Sequence, residues 1–155
     1  MIALIQKVKS AKVTLNKKVK SEINNGIVIY LGIHIDDSND DINYTIKKIL
    51  KLRIFPKESN KFDISITDLK LQILIISNFT LNAKTRTGNR PDFSDAMPPK
   101  DAQIIYDKFI KEISKSHNHI STGEFGGDMS VESINDGPVN IIIDSTDKNK
   151  SRSNF

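Results

Sequence analysis

Apolar residues in this chain follow two rhythms, a near-continuous one and a helical one. Ile2 to Val8 alternates and runs apolar, which predicts an opening strand. Lys12 to Leu15 and Val19 to Glu22 flank the polar link Asn16-Lys17-Lys18, the pattern of a hairpin. Ile27 to Ile35 is almost unbroken, as expected of a strand buried on both faces. Ser38 then suits a helix N-cap, with Asp41 three residues on as half of a capping box. Ile42, Ile46, Ile49, Leu50 and Ile54 follow at helical spacing, while Lys47, Lys48 and Lys51 fall elsewhere on the wheel. After a polar break at Pro56–Asn60, Phe62, Ile64 and Ile66 alternate as a short strand, and Leu71 to Phe79 reads as the next core strand.

A long irregular stretch, Asn82 to Met97, comes next. It carries Lys84, Arg86, Arg90, Gly88 and Pro91, and a loop of that length in a small domain usually has a function. Pro98-Pro99 opens a second helix with Ile105, Phe109, Ile110 and Ile113 on its apolar face and Lys108, Lys111 and Lys115 exposed. Three last strands are expected near Ile120–Phe125, Met129–Ile134 and Val139–Asp144. Ser145 to Phe155 has no periodicity and reads as a frayed polar tail. The sum is a single α/β domain over 1–144, with β-sheet on one side and two helices packed on the other, and a tail at 145–155.

Composition narrows the picture modestly. The 155 residues fit one domain, and the 37% that are hydrophobic are concentrated in runs, as in a folded protein. There are no cysteines, so disulfides, thiolate metal sites and a cysteine nucleophile are excluded. The opening Met-Ile-Ala-Leu-Ile-Gln-Lys-Val-Lys is too short and too soon charged for a signal peptide or membrane span, and the expected setting is cytoplasmic, with no membrane. A formal charge of +4 permits a polyanionic partner without requiring one.

Familiar catalytic machinery is thin. His34, His117 and His119 lie next to no nucleophile, and His117-x-His119 has no further metal ligand at a suitable spacing. There is no nucleophile elbow, P-loop or dinucleotide fingerprint. Asp36-Asp37 and Asp40-Asp41 read as helix-start acids. Two segments stand out instead: Ser77-Asn78-Phe79-Thr80-Leu81 and Asn135-Asp136-Gly137-Pro138-Val139-Asn140. Each adjoins a β-branched apolar run, so each is expected where a rigid strand meets a turn. The first offers hydroxyls and backbone N–H groups, and the second a Gly-Pro bond.

These two segments resemble the Ser-Gln-x-Thr and Asn-x-Gly-Pro-x-Thr motifs of the D-aminoacyl-tRNA deacylases. The opening Met-Ile-Ala-Leu-Ile-Gln, Arg53-Ile54-Phe55 and Arg90-Pro91-x-Phe93-Ser94 add to the resemblance, which covers all but the tail. It implies a three-layer β/β/α fold and a homodimeric hydrolase, with no cofactor and no metal, that cleaves D-aminoacyl-tRNA. Its Gly-Pro bond is expected to be cis and to enter the partner subunit's pocket, where paired carbonyl oxygens reject an L-side chain. Glycine escapes such a filter, so glycyl-tRNA is an expected second substrate. Carried onto this chain, the resemblance makes Phe79 and Thr80 the catalytic positions. Ser77, Asn78, Gly137 and Pro138 become the substrate-binding and chiral-filter positions. It also implies that the 2′-hydroxyl of the 3′-terminal adenosine replaces a side-chain base.

The chain departs from the family pattern twice. Asn78 stands for Gln, one methylene shorter, and Asn140 stands for the closing Thr. Loss of turnover through these changes would leave a non-catalytic tRNA-binding protein of the same fold. A third reading, an enzyme editing L-seryl-tRNA, is disfavoured by the intact Gly137-Pro138 pair.

Overall fold

The organising element is one long strand. In the computed structural model, which describes residues 1–57, 62–86 and 88–150, β1 runs unbroken from Ile2 to Leu15. Ile2–Val8 and Lys12–Leu15, expected as separate strands, are its two halves. They differ in partner: residues 2–8 pair antiparallel with β3 (Gly26–Gly32), and residues 11–15 with β2 (Lys18–Ile23). Asn16 and Lys17 turn the β1–β2 hairpin, both at positive φ, as a tight two-residue turn requires. On its other edge β1 pairs over almost its whole length with β8 (Met129–Asp144). One sheet is therefore continued past the point where β3 ends, and its far end folds over the near one.

β3 pairs in parallel with β6 (Gln72–Ser77), and β6 with β7 (Ile120–Thr122). Parallel neighbours need long crossovers. The first contains α1 (Asn39–Lys51), the small β4–β5 hairpin (Arg53–Pro56, Phe62–Ser65) and a helical turn α2 (Ile66–Leu69). The second contains α3 (Pro99–Ser114). Ile42, Ile46 and Ile49 of α1, with Ala102, Tyr106, Phe109 and Ile113 of α3, bury one face of the sheet against Ile27, Ile29, Leu31, Ile73 and Ile75. The alternate residues Val28, Leu74 and Ile76 turn to the opposite face and pack with Val8, Ala11, Val13 and Ile23. Two cores flank one sheet, which is why β3 and β6 read as unbroken apolar runs. The layers are β/β/α, as the resemblance implied.

Several expectations change. α1 starts at the expected cap, with Ser38 and Asp41 in a reciprocal capping box, but it ends at Lys51. Ile54, read as helical, lies in β4, and its side chain is buried in the same core from an extended backbone. Ile66 starts α2 rather than ending a strand, because Ser65 and Asp68 form a second capping box. Ser65-x-x-Asp68 is the sequence signature of that helix start. The expected strands at Met129–Ile134 and Val139–Asp144 are both part of β8, and Ile120–Phe125 shrinks to three residues. The polar break at 56–60 and the tail at 151–155 lie largely or wholly outside the described residues.

The start of that tail is docked. Ser145–Asn149 form a 3-10 turn, and Ser145 is fully buried. Its hydroxyl lies 2.8 Å from the Met1 ammonium, which also donates to Asp37. Lys148 pairs with Asp41 at 2.6 Å. Asp37, expected only as a helix-start acid, thus holds a buried ammonium. Burial pushes its carboxyl up, and the ammonium and the His34 N–H oppose that shift. Burial likewise disfavours the Asp41 carboxylate, yet hydrogen bonds from Lys148, Ser145 and Ser38 outweigh it and hold the group well below its ordinary value. No described helix is long and apolar enough to cross a membrane.

Candidate functional site

The parallel strands β3 and β6 end side by side, and a cavity of about 840 Å³ opens beyond them. Carboxyl ends of parallel strands are a recurrent place for ligands, and the volume lies in the range of small-molecule sites. Leu31 and Ile33 approach it from β3 and the residue just past it, and Ile76 and Ser77 from β6. Phe93 and Met97 come from the long loop, Pro98, Pro99 and Ala102 from the start of α3, and Phe125 to Met129 with Val131 from the other side. Most of these side chains are apolar.

The first motif forms the polar rim. After Ser77 the chain leaves the sheet: Asn78 N–H donates to Leu31 C=O at 2.8 Å, and Phe79–Asn82 close a 3-10 turn. Thr80 therefore sits in a turn, not at the strand end expected for it. Gly32 permits the close approach, since a Cβ there would stand 2.9 Å from the Leu81 Cβ and 3.1 Å from the Asn78 carbonyl oxygen. Asn82 fixes the far end by donating to Ile33 C=O at 3.0 Å while itself 5% exposed. Asn82 was not singled out from the sequence, although a buried amide after an apolar run is the signal that would have found it.

Asn78 organises the turn. Its Oδ1 accepts both the Thr80 backbone N–H, at 3.1 Å, and the Thr80 hydroxyl. The shortened side chain is thus well matched to an Asx-type turn. Of the two backbone donors at this rim, Thr80 N–H is engaged, whereas Phe79 N–H meets no acceptor among the described residues. Above it the Phe79 ring, 58% exposed, takes the Phe93 ring edge-on with centroids 5.0 Å apart. Ser77 Oγ accepts from Gly126 N–H at 3.4 Å, tying the Gly123–Asp128 segment to the rim. Tyr30 lines the floor, and burial pushes its phenol up, so it stays neutral.

The second motif lies elsewhere. β8 leaves its pairing with β1 after Asn135, opposite Val8, and rejoins at Asn140, opposite Gln6. The intervening Asp136-Gly137-Pro138-Val139 forms an excursion whose tip, Gly137 and Pro138, is exposed. The Gly137–Pro138 bond is cis. Gly137 has φ +131°, and a Cβ there would stand 2.6 Å from Val139 Cγ2, so only glycine fits without strain. Asn140 closes the neck: Oδ1 accepts from Gln6 Nε2 at 3.0 Å and from Asn135 Nδ2 at 3.2 Å. Asn135 Nδ2 also reaches the Lys7 carbonyl at 3.2 Å. Lys7 Nζ pairs with Asp136 at 2.7 Å. Asn140 thus supplies hydrogen bonds that brace the loop where the family pattern has Thr.

The structure therefore brings Ser77, Asn78, Phe79 and Thr80 together at one cavity, and places Gly137 and Pro138 outside its lining. The histidines serve other ends. His117 is buried with Nε2 2.6 Å from the Leu71 carbonyl, a contact that puts the proton on Nε2. His34 lies beside Asp36 and Asp95. No group of three or more potential metal-ligating side chains occurs among the described residues. Phe125 and Met129, prominent in the cavity, carried no motif-level signal, whereas Phe93 belongs to the Arg90-Pro91-x-Phe93-Ser94 segment.

Among the described residues no histidine lines this cavity, and its rim offers backbone amides, a carboxamide and hydroxyls. The sequence profile of the D-Tyr-tRNA(Tyr) deacylases matches residues 4–144. The D-aminoacyl-tRNA deacylase of Finegoldia magna is 49% identical over 145 residues, 94% of this chain and 98% of that one. The solved structure of a c-Myc DNA Unwinding Element Binding Protein is 38% identical, with TM-score 0.89 over 93% of this chain and 98% of the other. A probable eukaryotic D-amino acid tRNA deacylase has the same fold at 15% identity, with TM-score 0.81 over 92% and 97% of the two chains. This chain belongs to the D-Tyr-tRNA(Tyr) deacylase family.

Proposed function

We propose that the protein hydrolyses the ester of D-aminoacyl-tRNA, releasing the free D-amino acid and tRNA. The observation that carries the reading is the unengaged Phe79 N–H at the rim of a mostly apolar cavity, in a chain that matches the family over nearly its full length. An aminoacyl ester is already activated. Its hydrolysis needs a positioned water and a donor for the oxyanion that develops on the carbonyl. The terminal adenosine occupies the cavity, and Phe79 N–H faces the developing oxyanion. Water adds to the carbonyl carbon, the bond to the 3′-oxygen breaks, and that oxygen leaves with a proton. The neighbouring 2′-hydroxyl takes the place of a side-chain base.

Selection against L-substrates falls to Gly137 and Pro138. They lie outside the cavity of their own chain, which supports a homodimer in which each excursion completes the partner's site. Carbonyl oxygens standing where an L-side chain must sit exclude it, and glycyl-tRNA passes the filter as a second substrate. The working place of such an enzyme is the cytoplasm, beside the translation machinery.

The test is release of labelled amino acid from tRNA charged with D-Tyr, L-Tyr or Gly. D-Tyr and Gly are expected to be released and L-Tyr retained, and equal cleavage of both enantiomers overturns the filter. A fully active monomer in sedimentation at assay concentration overturns the shared site. A second reading, nucleic-acid binding without turnover, draws on the likeness to the DNA unwinding element binding protein. Tight tRNA binding with no release of any amino acid would establish it.

A further inference from the structure

The loop beside the cavity is a small hairpin, and its root is fixed to the site. Lys84 N–H donates to the Asp92 carbonyl at 2.7 Å and Asp92 N–H returns a bond to Lys84 C=O at 3.0 Å. Just below that root, Phe93 packs on Phe79, and Met97 N–H donates to Ile33 C=O at 3.0 Å. The residues following the hairpin thus form part of the cavity wall.

Its charges divide into two sets. At the root they are satisfied internally: Lys84 Nζ pairs with Asp95 at 2.6 Å, and the Asp92 carboxylate accepts the Ser94 N–H and hydroxyl, each at 2.9 Å. Lys20, across the cavity, is likewise held by Glu124 at 2.6 Å. Beyond the root, Arg86 and Arg90 are exposed and form no ion pair among the described residues. Two guanidinium groups are left for an outside anion. Arg86 stands two residues after Lys84 and Arg90 two before Asp92, so their Cα atoms lie within about 7 Å of the root. They are therefore close to the cavity mouth.

Guanidinium forks match phosphate oxygens in shape and charge. We propose that Arg86 and Arg90 bind backbone phosphates of the unpaired 3′ end of the tRNA acceptor strand, next to the nucleotide seated in the cavity. The inference rests on the tRNA substrate proposed above. It gives the hairpin a purpose that the apolar cavity does not require, since a free adenosine ester has no phosphate to offer it.

The experiment compares two D-Tyr esters: full-length D-Tyr-tRNA and 3′-O-(D-Tyr)-adenosine, which has no phosphates. The double variant Arg86→Ala/Arg90→Ala is expected to lower the ratio of kcat/KM for tRNA over adenosine about tenfold, through KM. The salt dependence of kcat/KM on tRNA should also flatten, its log–log slope shrinking by about 1.4 for two single-strand phosphates. A charge-matched variant on the helices, Lys47→Ala/Lys111→Ala, should leave the ratio alone. An unchanged ratio in the arginine variant, or an equal fall in the lysine variant, overturns the assignment. Failure of the deacylase reading shows separately, as wild-type protein inactive on both esters. In that event affinity for uncharged tRNA decides, and an arginine variant that binds as tightly as wild type overturns the proposal.

Discussion

The Asn78 carboxamide oxygen accepts the backbone N–H and the hydroxyl of Thr80 together, so the hydroxyl proton of Thr80 points at its neighbour and not into the cavity. That arrangement braces a turn. It does not activate a nucleophile, for which a base must face the hydroxyl. Thr80→Val is therefore expected to retain activity within about tenfold of wild type, and Asn78→Ala to cost more, since it also frees the backbone N–H and loses about 1 kcal/mol of turn stability. Initial rates on D-Tyr-tRNA check both. A covalent ester trapped on Thr80 would refute the argument, as would undiminished cleavage of a tRNA ending in 2′-deoxyadenosine.

Gly137→Ala places a Cβ against Val139 Cγ2 at a backbone φ that L-residues rarely adopt. Local strain of about 1–3 kcal/mol is expected, taken up by a shift of the excursion while the rest of the fold persists. The D-over-L rate ratio should fall, with the far-ultraviolet spectrum unchanged. A variant that discriminates as well as wild type would show that the excursion has no part in selection.

Asn140→Ala removes the acceptor that joins Gln6 and Asn135 across the neck. A loosened excursion should weaken discrimination by severalfold, and Asn140→Thr should restore most of it if a short polar group suffices at this position. Parallel measurement of D- and L-Tyr release decides. Loss of total activity with the ratio intact would instead assign Asn140 a purely structural effect.

Asp41 gives a pH dependence of known sign. Its carboxyl is held below the ordinary value in the fold, against the cost of burial, by Lys148, Ser145 and Ser38. A depressed folded pKa means stabilisation present above the unfolded value, about 3.9, and lost as pH falls below it toward the folded value. Asp41→Asn should be about 1–3 kcal/mol less stable than wild type at pH 7, with the gap closing below about pH 4. Asp37, pushed up chiefly by burial, acts in the opposite sense, so the comparison is made on this single substitution. Urea melts across pH 3–7 measure it, and a gap independent of pH would show that Asp41 contributes only packing.

Metal removal should change nothing. The rim offers amides and hydroxyls rather than a cluster of ligands, so activity is expected to survive extended dialysis against chelator. Loss that zinc restores would require a different mechanism.

Much of this protein is legible in the order of its residues. Ser38 with Asp41, Pro98-Pro99 and the unbroken runs at β3 and β6 determine local structure through capping, a fixed proline φ and two-sided burial. These effects act over a few residues, so the sequence is enough to find them, and the two short motifs by themselves carry the family resemblance. What the sequence left open depends on partners far along the chain. Whether Ile2–Val8 and Lys12–Leu15 were one strand or two rested on β8, more than a hundred residues away, bridging both halves. Ile54 suited the helical spacing, but pairing with β5 drew it into a strand. Only tertiary structure separates the two motifs, one at the cavity rim and the other on an exposed excursion of β8, because strand register alone decides where each side chain emerges.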